Sequence, residues 1–463
     1  MNRWIALAAG ILAALGASVH TQNAPSADVT FHRDVLPILQ KRCQPCHRPG
    51  EIAPMSFLTY DSTRPWARAI KAAVTMKKMP PWFADADYGH FANDRSLAPA
   101  EVDTLVRWVD GGAVAGDPTQ APPAVSWPDG WQIQPGYVVE APAYTIPASG
   151  TIEWGYITVP GGFAKDTWVT SIEVRPQHRE AVHHIVIYIK QHSPDVPYGV
   201  PLWDQKQRDA KGAAVPGQGF LSAMAVDDAG RTVSLDSILG PGGIEAIYVP
   251  AVPPNDYRVH RAAKLIPAGS DLVFQVHYTP VGKPVSEVTR IGFTIATDEP
   301  TRRFVTYSAQ PPSIADPKVF RIPPGEANWQ SPPVEGTFNV DAELVWMMPH
   351  MHLRGKDMRY TLQYPDGRSE VALSVSRYDF KWQIGYDVAQ AIKVSKGTKL
   401  RVDAHFDNSA ANKANPDPAA VVYGGTQSWD EMMNPFFGVV VDRAIDPKKI
   451  MSLGAGPAGS GGH

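Results

Sequence analysis

The sequence predicts an α plus all-β multidomain protein: a small helical domain followed by two antiparallel β-sandwich domains of jelly-roll type. Three observations carry this. Helix-like apolar spacing and helix stop signals are confined to the first quarter of the chain. From Pro135 onward, short alternating Val/Ile/Tyr/Phe/Trp stretches are separated by turn signals such as "YPDGR" and "IPAGS", the pattern of sandwiches and jelly rolls. And 463 residues exceed one ordinary core, suggesting about three domains.

The chain opens on Arg3, an apolar run from Trp4 to Leu15 and the small residues Gly16, Ala17 and Ser18. This is the pattern of a secretory leader, residues 1–22, cleaved between about residues 16 and 24. The apolar run is shorter than the ~20 residues of a membrane span, and no later stretch is long or apolar enough. A periplasmic or secreted protein without a span after cleavage is expected. The formal net charge of −3, with no long run of one sign, excludes a polyelectrolyte footprint for nucleic acid or an anionic membrane.

The helical domain is expected over residues 28–116. Apolar residues recur at Val35, Leu36, Ile38 and Leu39 in "FHRDVLPILQKR". A second helix is expected to begin at the Ser/Thr pair of "STRPWARAIKAAVTMKK" and run to Lys78. A third, "APAEVDTLVRWVDGG", stops at Gly111–Gly112, a glycine terminus. Between the first two lies "CQPCH", Cys43 to His47, with the chain's two cysteines. C-x-x-C-H attaches c-type haem: two thiols bond the porphyrin vinyl groups, and the adjacent His47 ligates iron. A zinc site would need a second Cys/His pair at finger spacing. A redox C-x-x-C would leave His47 unexplained. The module resembles a small class I cytochrome c. The sixth iron ligand is expected to be the thioether of Met79 in "KKMPPWFAD", where Pro80 and Pro81 keep the loop extended; Met76, Met55 and His90 are the rivals.

A Pro-rich linker, 117–134, leads to two β halves of similar length, 135–297 and 298–445, divided near "TDEPTRR"; residues 446–463 read as a glycine-rich flexible tail. The first half holds His183 and His184 in "AVHHIVIYI" and His277 in "FQVHYTPVG". Neighbours on a strand face opposite ways, so His183 and His184 can share a metal only at a strand end or bulge. In the second half, His350 and His352 in "WMMPHMHLRGKDM" stand at i and i+2. On a strand they would share one face about 6.6 Å apart. Methionines surround them, and "DEMMN" (Asp430 to Asn434) adds Met432 and Met433. Imidazole with thioether suits copper.

The order "VHH" (Val182 to His184), "VHY" (Val276 to Tyr278), "HMHLRGK" (His350 to Lys356) and "DEMMN" resembles the type II copper, ascorbate-dependent monooxygenases. These include the peptidylglycine α-hydroxylating and dopamine β-hydroxylating enzymes. The resemblance covers about Pro135 to Arg443 and implies paired jelly-roll domains with two copper ions. It implies an electron-transfer copper on His183, His184 and His277. It implies an O₂-activating copper on His350, His352 and Met432, the catalytic set, with Met432 rather than Met433 as the thioether. The implied reaction is hydroxylation of a C–H bond of a small organic substrate with O₂. Electrons would come from ascorbate or a periplasmic redox protein, with the haem as entry point.

The chain departs from the family where substrate binds. Peptide-amidating members carry an arginine and a tyrosine that grip a carboxylate; here those positions are Met348 and Phe436, and only Asn434 remains. Apolar side chains cannot hold a carboxylate, so an apolar or aromatic substrate is expected. The cysteine that follows the ligand methionine in the family is here Met433, and no cysteines remain for the disulfides of animal members. Two other readings stand beside this one. One is a cupin-like single-metal site of His350, His352, Asp357 and His405. The other is a copper-holding or electron-transfer protein without turnover. His178, His192 and His260 read as surface or loop residues, and His405 otherwise as packing.

Overall fold

The computed structural model describes residues 29–128, 130–205, 224–240, 243–249, 252–311 and 313–454. The leader and residues 455–463 of the tail lie outside the described residues. The protein is mostly β-sheet, 36% strand against 14% helix, as the β-rich part of the predicted class requires.

Residues 29–121 form a helical unit around Phe31, Leu39, Ile70, Leu105 and Trp108. The first helix is two-part. A π-helical turn, Phe31–Val35, precedes the α-helix Leu36–Arg42. Pro37 has no N–H to bond the carbonyl of Arg33, and the turn ahead of it widens, with Val35 N–H reaching Thr30 O at 3.2 Å. The second helix starts earlier and ends sooner than expected. Thr59 caps it, accepting the Ser62 N–H at 3.2 Å. It then runs as Tyr60–Thr63, a 3-10 turn Arg64–Trp66 at Pro65, and Ala67–Thr75. The third helix, Pro99–Asp110, keeps its expected limits, with Pro99 at its first position and Gly111 at its end. Gly116 closes the unit at φ +74°, where a side chain would meet Thr30 Cβ at 2.5 Å; only glycine fits that approach.

The first β unit is a sandwich. One sheet orders the strands Tyr137–Glu140, Thr289–Ile295, Thr167–Pro176 and Asn255–Asp256, with Lys264–Ile266 also on Thr167–Pro176. The facing sheet has seven strands among the described residues. At its centre Ser270–Tyr278 lies between Gly155–Pro160 and Val182–Gln191, and Gly243–Tyr248 closes one edge. The second β unit repeats the architecture. Arg302–Ser308, Phe436–Asp442, Ala342–Met348 and Tyr386–Val394 form one sheet; Gly355–Gln363 and Lys399–Phe406 centre the other. Among the described residues no multi-residue strand ladder joins the two units; a single bridge pairs Ala263 with Arg303. Their cores do meet: Phe304, Val345 and Val440 pack into the first unit's core, and Trp154 into the second's.

One boundary needs correction. The tail does not begin at 446. Pro447–Lys449 is a 3-10 turn and Met451–Leu453 a strand paired with Val334–Phe338. Ile450 and Met451 are apolar and buried, which draws this segment onto the sheet despite the glycines that follow it.

The helical unit is fastened to both β units. Arg48, Glu51 and Arg179 form an ion-paired chain to the start of the Val182–Gln191 strand. On the other side, Asp85 accepts from the Ser374 hydroxyl at 2.7 Å, Asn93 bonds Gly385 O and Asp387 N–H at 2.8 and 3.0 Å, and Trp82 packs on Tyr386. No helix among the described residues is long and apolar enough to cross a membrane.

Candidate metal centres

His184 and His277 are cross-strand partners, but the next pair is Tyr278 with Val182. His183 is therefore the extra residue of a β-bulge. A bulge turns two successive side chains toward one side, one of the two circumstances, with a strand end, in which adjacent histidines on a strand converge. The ligand atoms of His183, His184 and His277 all lie within 4.8 Å of one another. Nδ1 of His183 and Nδ1 of His184 are 3.1 Å apart. Two nitrogens each about 2.0–2.1 Å from one ion and about 100° apart have that separation. Burial holds the His183 imidazole below its ordinary pKa, and burial with the neighbouring imidazoles holds His184 well below it. Both are therefore in the neutral form a metal needs. Trp154 stands edge-on to His184, ring centroids 5.2 Å apart, and supports the cluster from beneath.

The second constellation departs from the expected strand geometry. The Ala342–Met348 strand ends at Met348, and Pro349, which has no N–H, takes the chain out of the ladder. His350 and His352 thus lie in the following loop rather than on a strand face. Their ring centroids are 5.3 Å apart, with planes at 89°. Each Nδ1 is tied: His350 to Gln383 Oε1 at 2.7 Å, His352 to the Asp430 carbonyl at 3.3 Å. Donating from Nδ1 to an oxygen leaves Nε2 with its lone pair, the arrangement of a metal-binding histidine. Burial pushes His350 down to about 4 and His352 well below its ordinary value.

Met432 is brought here by backbone bonding. Asn434 N–H donates to His350 O at 2.9 Å. The Glu431 carboxylate accepts the N–H groups of His352 and Arg354 at 3.0 and 2.6 Å. Met432 then lines the same cavity as His350 and His184, a space of about 320 Å³ between the β units. Met433 is fully buried in the second unit's core. Gly355 completes the turn: a side chain there would meet Met351 Cβ at 2.6 Å and the Tyr378 ring at 2.8 Å.

Met348 and Phe436 are cross-strand partners, and both line this cavity beside Asn434. Ile244, Ile247 and Val249 line it too, and Thr306, Ser308 and Gln310 supply polar atoms. No described lining residue is Asp, Glu, Lys or Arg.

One loop, between Ser369–Val375 and Tyr386–Val394, organises both constellations, and sequence reasoning missed it. Gln383 orients His350. The Tyr378 hydroxyl bonds both the N–H and the carbonyl of Met351, at 3.1 and 2.7 Å. Phe380 stacks on His183 at 5.1 Å and stands edge-on to His352 at 5.9 Å. Those two contacts cap the separation of the His183 and His352 rings at about 11 Å. "SRYDFKWQIG" carries neither a ligand motif nor a periodicity, so nothing in it marks this role.

In the helical unit, Cys43 and Cys46 carry free thiols. His47 Nδ1 bonds the Met55 carbonyl at 3.3 Å, and its ring stacks on Phe57 at 4.3 Å. That again leaves Nε2 available. Two unpaired thiols and an oriented imidazole within five residues are the donor set c-type haem attachment requires. Burial pushes the Cys43 thiol up to about 12. Met79 is half-buried, whereas Met76 is 55% exposed. The Met55 backbone sits at His47, on the imidazole's own side. His90 is exposed, and its carbonyl bonds Ala389.

Other histidines stay apart. His405 pairs with Asp357 at 2.7 Å, and these two do not gather with His350 and His352 into one cluster among the described residues. His192 pairs with Asp271, His178 with Glu180, and His260 stacks on Phe304.

No protein-family model matches the chain, and no curated protein matches it. Among solved structures, the chain is similar to a peptide-N(4)-(N-acetyl-β-D-glucosaminyl) asparagine amidase. That match has 9% identity and TM-score 0.23, and covers 68% of this chain and 93% of the other. It is also similar to the infectious bursal disease virus VP2 subviral particle, at 11% identity and TM-score 0.17, covering 71% and 77%. At these scores neither likeness carries an argument about the site.

Proposed function

We propose that the protein is a copper-dependent monooxygenase that hydroxylates a C–H bond of a small, apolar or aromatic molecule, with electrons entering through a covalently attached haem c. The observation that carries the reading is the convergence of His183, His184 and His277 on one point, with His184 lining the same cavity as His350 and Met432. Three imidazoles suit a copper that changes oxidation state with little rearrangement. Two imidazoles and a thioether favour Cu(I), the state that meets O₂. Copper held there would supply the O₂ activation. The overall change is R–H + O₂ + 2e⁻ + 2H⁺ → R–OH + H₂O, which requires an electron donor: ascorbate or a periplasmic redox protein.

The chain's own residues prepare this chemistry. Gln383 and the Asp430 carbonyl hold the two imidazoles in the tautomer that offers Nε2. The Glu431 carboxylate fixes the backbone that presents Met432. Met348, Phe436, Ile247 and Val249 offer an apolar surface to substrate and exclude water. With no described charged residue in the lining, a substrate carboxylate would go unpaired. Export to the periplasm or beyond agrees with haem c, and the helical unit's donor set supports haem, with Met79 retained as the distal ligand.

The test is O₂ consumption and product analysis on the copper- and haem-loaded chain, using a panel of neutral aromatic and aliphatic compounds beside glycine-extended peptides. The expected result is a hydroxylated neutral product. Efficient amidation of the peptides would overturn the substrate assignment. Intact metal loading with no substrate-dependent O₂ uptake across the panel would favour an electron carrier.

A further inference from the structure

Between the cysteine loop of the helical unit and the three-histidine cluster stands a single strand, Gly243–Tyr248. Tyr248 lines a cavity together with Cys46. Ile247 lines that cavity and also the one containing His184 and His350. Val249, just past the strand, lines the His184 cavity and the cleft that contains His183. The strand is thus a wall one residue thick. It is hydrogen-bonded to the histidine strand, with Tyr248 paired to Ile185, and Ile185 directly follows His184 in the chain.

Two further observations point the same way. The Glu51–Arg179 ion pair, with both side chains largely buried, anchors the loop after Cys46 only four residues ahead of His183. The Tyr248 hydroxyl is buried, with no hydrogen-bond partner among the described residues. A buried phenol facing the cysteine loop without a polar partner has no evident structural use for its oxygen. Its ring forms the strand's side of the cavity that Cys46 also lines.

We propose that Tyr248 and the strand pair behind it are the route by which electrons cross from the haem edge at Cys46 to the copper held by His183, His184 and His277. This rests on the monooxygenase reading for the identity of the two redox groups. With haem and copper bound, the crossing would oxidise ferrous iron to ferric and reduce cupric ion to cuprous. One electron moves, and no bond or proton changes. The step occurs twice per hydroxylation. Tyr248 acts as packed matter that shortens the gap, not as a redox intermediate; among the described residues its phenol has no hydrogen-bonded base to take a proton.

A rival entry exists. Phe83, four residues after Met79, lines the cleft that contains His183. The experiment separates the two. The full chain, loaded with ferric haem and cupric copper under anaerobic conditions, receives one electron at the haem from a photosensitiser. Haem reoxidation is followed optically, and loss of the Cu(II) signal by freeze-quench electron paramagnetic resonance. Tyr248→Ala is expected to slow the transfer on the order of tenfold, because a void replaces packed atoms in the path. Tyr248→Phe is expected to stay within about twofold of wild type, since the ring remains. Phe83→Ala should leave the rate unchanged. Glu51→Gln, which loosens the anchor without touching the strand, should slow it and carries the test if Tyr248→Ala does not fold. An unchanged rate in Tyr248→Ala, or slowing in Phe83→Ala alone, overturns the route. If wild type shows no haem-to-copper transfer yet hydroxylates with ascorbate, the route falls and the proposed function stands. Transfer as described, with no product from any donor, sinks the function and leaves the route.

Discussion

His183 and His184 are neighbours in sequence, yet their Nδ1 atoms lie 3.1 Å apart and aim at one point. The bulge opposite His277 and Tyr278 makes this so. A folded state that binds copper and an unfolded state that does not are linked through RT ln(1 + [L]/Kd), about 2.7 kcal/mol at a hundredfold excess over Kd. Chelation should therefore lower the melting temperature of the wild-type chain by several degrees, on the order of 2–4 °C per kcal/mol for a unit of this size. In His277→Ala most of the first site's share of that shift should vanish. Equal chelator shifts in both proteins would separate this cluster from metal binding.

Gln383 accepts from His350 Nδ1 at 2.7 Å. Removing such an oxygen partner from a metal-binding histidine typically costs about 10–100-fold in metal affinity. Gln383→Leu should show that loss at the His350/His352/Met432 site alone, read by competition with a copper chelator. Gln383→Glu, which keeps an acceptor, should recover most of it. Equal affinity in Gln383→Leu would mean that the loop does not orient the ligand.

The Glu431 carboxylate is fully buried and takes the backbone N–H groups of His352 and Arg354. Each buried donor left without a partner costs about 1–3 kcal/mol. Glu431→Leu should destabilise the metal-free second β unit by roughly 2–5 kcal/mol in chemical denaturation. Glu431→Gln, with one acceptor oxygen, should cost less than half as much. A neutral effect for Glu431→Leu would show that this turn holds itself.

The β-rich part of the fold class and the candidate ligand histidines were legible in the sequence because each has a local signature. Strand alternation marked the two β units; C-x-x-C-H, the paired histidines and His350-x-His352 marked chemistry that needs those residues close in the chain. What was hidden depends on contacts between distant segments. The bulge at His183 is set by pairing with His277. Gln383, Tyr378 and Phe380 act from a loop whose local sequence is unremarkable. His350 and His352 left the strand face because Pro349 ended the ladder. The closing strand Met451–Leu453 was masked by the glycines after it.

At the junction of the helical unit and the second β unit, burial pushes the Asp387 carboxyl up to about 6, against 3.8 ordinarily, with Arg95 opposing. Between those pH values the folded state binds more protons than the unfolded one, so stability falls as pH rises through the window. The loss is complete above it and amounts to on the order of 1–2 kcal/mol, allowing for partial solvent access. Unfolding measured from pH 4 to 7 should show this slope in wild type and a flatter profile in Asp387→Asn. The same slope in both would assign it to another group.

Copper and iron content per chain tests the central claim most directly. Element analysis of the purified full chain should give two copper ions for each haem iron. Copper should fall to one in His183→Ala, and Met432→Ile should weaken the other site together with O₂ reactivity. One iron or zinc in place of two coppers, or unchanged copper loading and O₂ reactivity in Met432→Ile, would contradict it.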